Sequence, residues 1–150
     1  MQIARKFLTF ALLACASIAS AAEGLVAFSS PYSAEETMQR MEQQVQQRGL
    51  KVFARIDHAA GAATIGSTLR PTILLVFGHP AGGTPFMQCE QSVGIDLPLK
   101  ALVWEDASGQ VWLGYDDPAF IAQRHGVAQC AVVAKLRQSL NAMAQAAVVR

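Results

Sequence analysis

The sequence predicts an α+β domain in which an antiparallel sheet carries its helices on one face. Three observations lead there. Five short runs of aliphatic, aromatic and β-branched residues are separated by turn-forming residues, and two of these runs flank the turn "DASG". Strong helical periodicity occurs after the first run and again at the C-terminal end. The order is therefore strand, helix, several strands, helix, without the strict strand–helix alternation that builds a parallel sheet.

"GLVAFSS", Gly24 to Ser30, reads as the first strand, stopped by Pro31. Ser33 and Glu36 then have capping-box spacing, in which each side chain satisfies an orphan backbone donor of the other residue. Met38, Met41 and Val45 recur at helical spacing, and Gly49 supplies the left-handed residue that lets Leu50 fold back on Val45. "KVFARID" alternates, with Val52, Ala54 and Ile56 on one face and Lys51, Phe53, Arg55 and Asp57 on the other, as in a strand with one face partly wet. "HAAGAATIGSTLRP" has no clear period and reads as a loop or short helix. "TILLVFG", Thr72 to Gly78, is apolar throughout and predicts a buried central strand. "LKALVWE" and "QVWLGY" around "DASG" form a hairpin. Asp117 caps a short helix with Pro118 first and Gly126 as its stop. From Ala128 onward, Val133, Leu136, Leu140, Met143 and Ala147 mark a final amphipathic helix.

The N-terminal residues read as an export signal. Arg5 and Lys6 precede the apolar run "FLTFALLA", small residues follow, and Ala19-Ser20-Ala21 is an A-x-A site, so cleavage is expected after Ala21. The apolar segment is shorter than the roughly 20 residues that span a bilayer. "LLAC" offers an alternative, with Cys15 as the lipidated residue of an envelope lipoprotein. Only in that case is a membrane partner expected. The expected organisation is thus a cleaved segment, 1–21, and a single globular domain, 22–150, located in the periplasm or secreted.

Loss of Arg5 and Lys6 takes the twelve basic residues to ten, against eleven acidic. That balance excludes the basic stripe that a nucleic-acid binder uses to neutralise phosphates. Cleavage also leaves Cys89 and Cys130 as a pair in an oxidising compartment. A disulfide between them is compatible with the count; two buried thiols acting as small apolar residues are the alternative.

The densest stretch is "FGHPAGGTPFMQC", Phe77 to Cys89. Gly78 and Gly83 have the G-x-x-x-x-G spacing of a phosphate loop, but Thr84 and Pro85 stand where that loop needs Lys and a hydroxyl residue. His79, Met87 and Cys89 offer soft ligands suited to copper(I), although on a helix Met87 and Cys89 point to different sides. The architectural reading is preferred: Gly82 and Gly83 give permissive backbone, Thr84 caps, and Pro85 takes the first helical position. No cofactor motif is present, and G-x-S-x-G, H-E-x-x-H and C-x-x-C are all absent. Asp57-His58 is a candidate acid–base pair, with a solvent-facing strand end as the plainer alternative. Asp116-Asp117 reads as a turn and cap, and His125 as a cation at a helix C-terminus.

"GLKVFARIDHAAGA", "LRPTILLVFGHPAGGTPFMQ" and "DLPLKALVWEDASGQVWLGYDDP" together resemble the family named domain of unknown function 302. The resemblance implies a β-α-β-β-β-β-α domain like half of a TATA-binding-protein fold, and self-association as a homodimer. It implies no activity. The family usually carries Asn where His79 stands, which fits a turn residue better than a ligand. Polar positions that match the family pattern are Arg55, Asp57, His58, Arg70, Thr84 and Asp96, and these are the candidate site residues. The expected function is a non-enzymatic, exported module binding a small ligand or partner in the cell envelope. Two alternatives stand beside it: a hydrolase or isomerase using Asp57 and His58, and a copper or redox protein using Cys89 with Met87 or His79.

Overall fold

The computed structural model describes residues 22–150. The segment read as an export signal, with Cys15, lies outside them. Five strands form one sheet: β1 (Leu25–Ser30), β2 (Lys51–Asp57), β3 (Thr72–Gly78), β4 (Leu99–Glu105) and β5 (Val111–Asp116). Their spatial order is β1-β5-β4-β3-β2, and every neighbouring pair is antiparallel. Two long helices, α1 (Ala34–Gln47) and α5 (Val132–Val148), pack on one another and on the sheet.

The register explains the main core. Phe28, Leu113, Val103 and Ile73 form one cross-strand row, and Val26, Tyr115, Ala101 and Leu75 form the next. With Phe77 they meet Met38, Met41 and Val45 of α1 and Leu140, Met143, Ala144 and Ala147 of α5. Fully burying the larger of these aliphatic, methionine and phenylalanine side chains contributes about 1.5–3 kcal/mol each, so this layer dominates the stability. The opposite sheet face carries Trp112, Trp104, Leu102 and Leu74, all half-buried, with Ile56 exposed beside them.

Local chemistry sets the ends of α1. Ser33 Oγ accepts from the Glu36 amide at 3.2 Å. Gly49 has φ 69°, and the Leu50 amide donates to the Val45 carbonyl at 3.1 Å, the left-handed helix stop expected there. The strand that follows departs from simple alternation. The register shifts between Val52 and Ala54, so Val52 stays against the core while Ala54 and Ile56 turn to the other face. This bulge brings Arg55 to the helix side, where it meets Glu35 and Glu42 of α1.

Three short helices fill the connections: α2 (His58–Ala63), α3 (Pro80–Cys89) and α4 (Pro118–Arg124). A 3₁₀ turn, Gln91–Ile95, follows α3. The start of α3 corrects the sequence reading. His79, not Thr84, is the cap, with Nδ1 accepting from the Ala81 amide at 3.1 Å, and Pro80, not Pro85, takes the first turn. His-Pro satisfies the same end chemistry as Thr-Pro and comes first along the chain, which places Gly82, Gly83, Thr84 and Pro85 inside the helix. α4 keeps its expected bounds, with Asp117 accepting from the Ala119 amide at 2.8 Å.

α3, the 3₁₀ turn, α4 and the start of α5 enclose a second, smaller cluster: Phe86, Val93, Ile121, Ala122, Cys130 and Val133. Cys89 and Cys130 form a disulfide, with Cα atoms 6.0 Å apart and a sequence separation of 41. The bond fixes the end of α3 beside the start of α5.

Candidate functional site

A cleft of about 380 Å³ opens between the two clusters. Leu140, Met143, Leu50 and Leu99, from or against the main core, form one wall. Leu97 and Leu136, which pack on the smaller core, form the other with Met87 and residues 82–84 of α3. Phe53, projecting from the bulge in β2, and Pro98 complete the lining. The polar side chains of the lining are His79, Thr84 and Ser139. An apolar volume of this size with a few polar groups is the usual form of a small-molecule site.

Glycines make the space. A Cβ on Gly83 would lie 3.6 Å from Leu97 and 4.0 Å from Met87, and one on Gly78 would lie 3.7 Å from Pro98 and 3.8 Å from Phe53. Such a Cβ makes ordinary contact, so it fits, but a longer side chain would project into the cleft. Gly94 has less room, with its virtual Cβ 3.3 Å from Met87 Sδ. The stretch Gly78 to Met87 thus serves as cleft wall as well as joint between β3 and α3.

A second polar arrangement lies outside this lining. Asp96, just after the 3₁₀ turn, accepts from Arg124 at 2.8 Å through one oxygen and meets His125 Nε2 at 2.6 Å through the other. His125 Nδ1 in turn lies 2.8 Å from Ser92 Oγ. The His125 side chain is 9 % exposed, whereas Ser92 is open to solvent. Glu90, which accepts from the Ser92 amide, has its carboxyl held below the ordinary range by that bond.

The sequence-predicted residues do not converge. Arg55 pairs with Glu35 at 2.5 Å and with Glu42 at 3.9 Å, and its hydrogen bond is the main cause that lowers the Glu35 carboxyl. Asp57 caps α2 by accepting from the Ala60 amide at 2.9 Å. His58 is exposed at the first position of α2, and among the described residues its ring has no hydrogen-bonding partner. An acid–base pair needs the histidine oriented by the carboxylate, and here the carboxylate is committed to backbone. Arg70 donates to the Glu105 carbonyl at 3.1 Å, away from both groups. Only Thr84 reaches the cleft, and only Asp96 enters the Ser92–His125 chain.

The soft-ligand set also disperses. Cys89 is bonded to Cys130, His79 caps α3, and Met87 lines the cleft. Among the described residues no group of three His, Cys, Asp or Glu side chains is placed to hold a metal ion. Sequence reasoning missed the cleft residues Phe53, Leu136, Ser139 and Met143, as well as Ser92. The available signal was the cluster of glycines at 78, 82 and 83.

Comparison with known proteins shows the family. The family model described as domain of unknown function DUF302 matches residues 26–147. The chain is 48% identical over 104 residues to a fluoride-specific ion channel FluC 1 of Brucella suis, covering 69% of this chain and 41% of that protein. A FluC 2 of Brucella melitensis is also 48% identical over 104 residues, with 38% of it covered. The chain therefore spans about two-fifths of the length of these curated relatives. A crystal structure of a DUF302 protein from Bacillus stearothermophilus superposes with a TM-score of 0.76 at 20% identity, covering 84% of this chain and 99% of that one. That likeness carries the fold.

Proposed function

The chain belongs to the DUF302 family, and we propose that it is a binding module whose cleft takes up a small, largely apolar molecule. The observation that carries this reading is the position of the cleft. It lies where two separately packed clusters meet, walled by aliphatic and methionine side chains and kept open by glycines. A ligand there would bury apolar surface on both sides and use Thr84 or Ser139 to orient one polar group. The first 21 residues favour an envelope location for this module.

The Brucella relatives are named as fluoride-specific channels, and this chain corresponds to under half of each. Among the described residues no helix is long and apolar enough to cross a membrane. The shared segment serves as a ligand-binding attachment to such proteins.

Titration with the fluorescent apolar probe N-phenyl-1-naphthylamine tests the reading. The wild-type protein is expected to give a saturable rise in emission. Gly83→Leu, which projects a side chain into the cleft, should weaken binding at least tenfold, about 1.4 kcal/mol. Equal binding by the variant, or no saturable binding by either, contradicts the proposal.

A homodimer is a second reading, favoured by the open sheet face. Trp104 and Trp112 stack there with centroids 6.4 Å apart, beside Leu74, Leu102 and Ile56. A second copy is the occupant that this apolar face suits. Sedimentation of wild type and Ile56→Glu checks it: a dimer should shift to monomer in the variant, and a wild-type monomer at high concentration contradicts it.

A further inference from the structure

The Ser92–His125–Asp96 chain has the order of contacts of a nucleophile, a base and an orienting carboxylate. Its polarity follows from elementary donor and acceptor rules. The Asp96 oxygens accept, one from Arg124 and one from His125, so Nε2 of the imidazole carries the ring hydrogen. In the neutral ring Nδ1 then presents a lone pair to Ser92 Oγ at 2.8 Å, and the serine hydroxyl donates. The two ring nitrogens exchange the places they hold in the familiar serine-protease arrangement, but the roles are the same. Burial of the ring beside Asp96 fixes its orientation, while Ser92 remains reachable from solvent.

A second feature lies next to the hydroxyl. Ser92 and Ile95 are three residues apart in a 3₁₀ turn, the spacing that brings two side chains to one side of such a helix. Ile95 is 74% exposed and belongs to neither core cluster. The serine thus stands beside an exposed apolar side chain, on which a short acyl group can rest.

We propose that Ser92 is an activated nucleophile that accepts acyl groups from carboxylic esters with good leaving groups. In the first step Ser92 Oγ bonds to the ester carbonyl carbon, and its proton passes to His125 Nδ1. The bond from that carbon to the leaving oxygen breaks, and the alcohol departs with the proton from His125. Water then attacks the acyl-serine by the same proton path, returning free Ser92 and a carboxylic acid. This site shares no residue with the cleft, so the failure of one proposal leaves the other standing.

The test is incubation of the full chain with p-nitrophenyl acetate, followed by intact mass, peptide mapping and nitrophenolate release. The expected product is a single acetyl on Ser92, formed well ahead of acetylation at exposed Ser67 or Ser108. Ser92→Ala should abolish the adduct. His125→Gln should slow its formation by about 100-fold, the scale of general-base assistance. Asp96→Asn should slow it in the same direction. Thermal unfolding shows whether each variant is folded. A hydrogen-bond chain that only ties the 3₁₀ turn to α4 would lower stability in the variants while leaving Ser92 unlabelled in the wild type. The absence of both an adduct on wild-type Ser92 and nitrophenolate release that Ser92→Ala loses, or equal rates in a folded His125→Gln protein, overturns the proposal. If His125→Gln does not fold, the wild-type and Ser92→Ala masses and nitrophenolate release decide it.

Discussion

The two cores of this molecule are held by different physics. The larger layers α1 and α5 on a five-stranded sheet, and its side chains come from strand and helix faces with regular spacing. The smaller brings six buried residues together from two short helices, a 3₁₀ turn and the region around the start of α5. It relies on a disulfide and on the Asp96 contacts with Arg124 and His125. A small core buries too little to fix its own elements, so covalent and polar links do the rest. The cleft lies at the seam, where one wall is rigid sheet and helix and the other depends on those links.

That contrast can be broken at either side. The largest effect is expected in the sheet core. Phe77→Ala removes a fully buried ring of β3 and should cost about 3–5 kcal/mol in denaturant unfolding, with the whole fold lost in one transition. Removal of the disulfide as Cys89→Ala with Cys130→Ala should cost about 2–4 kcal/mol. Hydrogen exchange locates that loss: α3 and the 3₁₀ turn should open while β3 and β4 stay protected. Equal loss of protection in β3 and β4 would show a single cooperative unit instead.

A smaller effect sharpens the account of the sheet side. Asp106, in the β4–β5 hairpin, accepts from Ser108 Oγ at 2.6 Å, from Trp112 Nε1 at 2.8 Å and from the Ser108 and Gln110 amides. These bonds, the Ser108 hydroxyl first, hold its carboxyl well below the usual range. A depressed carboxylate contributes stability above its unfolded value, and that contribution fades as pH falls through the folded value. The stability difference between wild type and Asp106→Asn should therefore be constant from pH 7 to about 5. It should shrink below about 3.9, the ordinary aspartate value. A difference that grows on acidification contradicts this assignment.

The same contrast explains what was legible in the sequence. Met38, Met41 and Val45 announced α1, Ser33 and Gly49 marked its ends, and "TILLVFG" gave the central strand, because periodic burial leaves a periodic pattern. The bulge at Val52–Ala54 was invisible: alternation cannot report an inserted residue, and Arg55 reads the same whether it faces water or α1. His79-Pro80 and Thr84-Pro85 are equivalent start signals, so composition alone could not place the first turn of α3. The candidate site was less legible than the fold. Thr84 and Asp96 belong to the two polar or ligand-sized features, but Arg55, Asp57 and Arg70 are occupied by Glu35, the Ala60 amide and the Glu105 carbonyl. Leu136 and Met143, which line the cleft with Thr84, and His125, which joins Asp96 to Ser92, arrive from other parts of the chain, and only the folded topology brings them near.

The claim that the seam is a binding cleft is tested most directly by the methionine methyl groups. Met87 and Met143 line the cleft, whereas Met38 and Met41 of α1 are buried in the sheet core and are not part of its lining. With ¹³C-methyl-methionine labelling, addition of N-phenyl-1-naphthylamine should shift the Met87 and Met143 resonances and leave Met38 and Met41 in place. Unmoved Met87 and Met143 signals at saturating probe, or shifts spread equally over all four, would contradict the account.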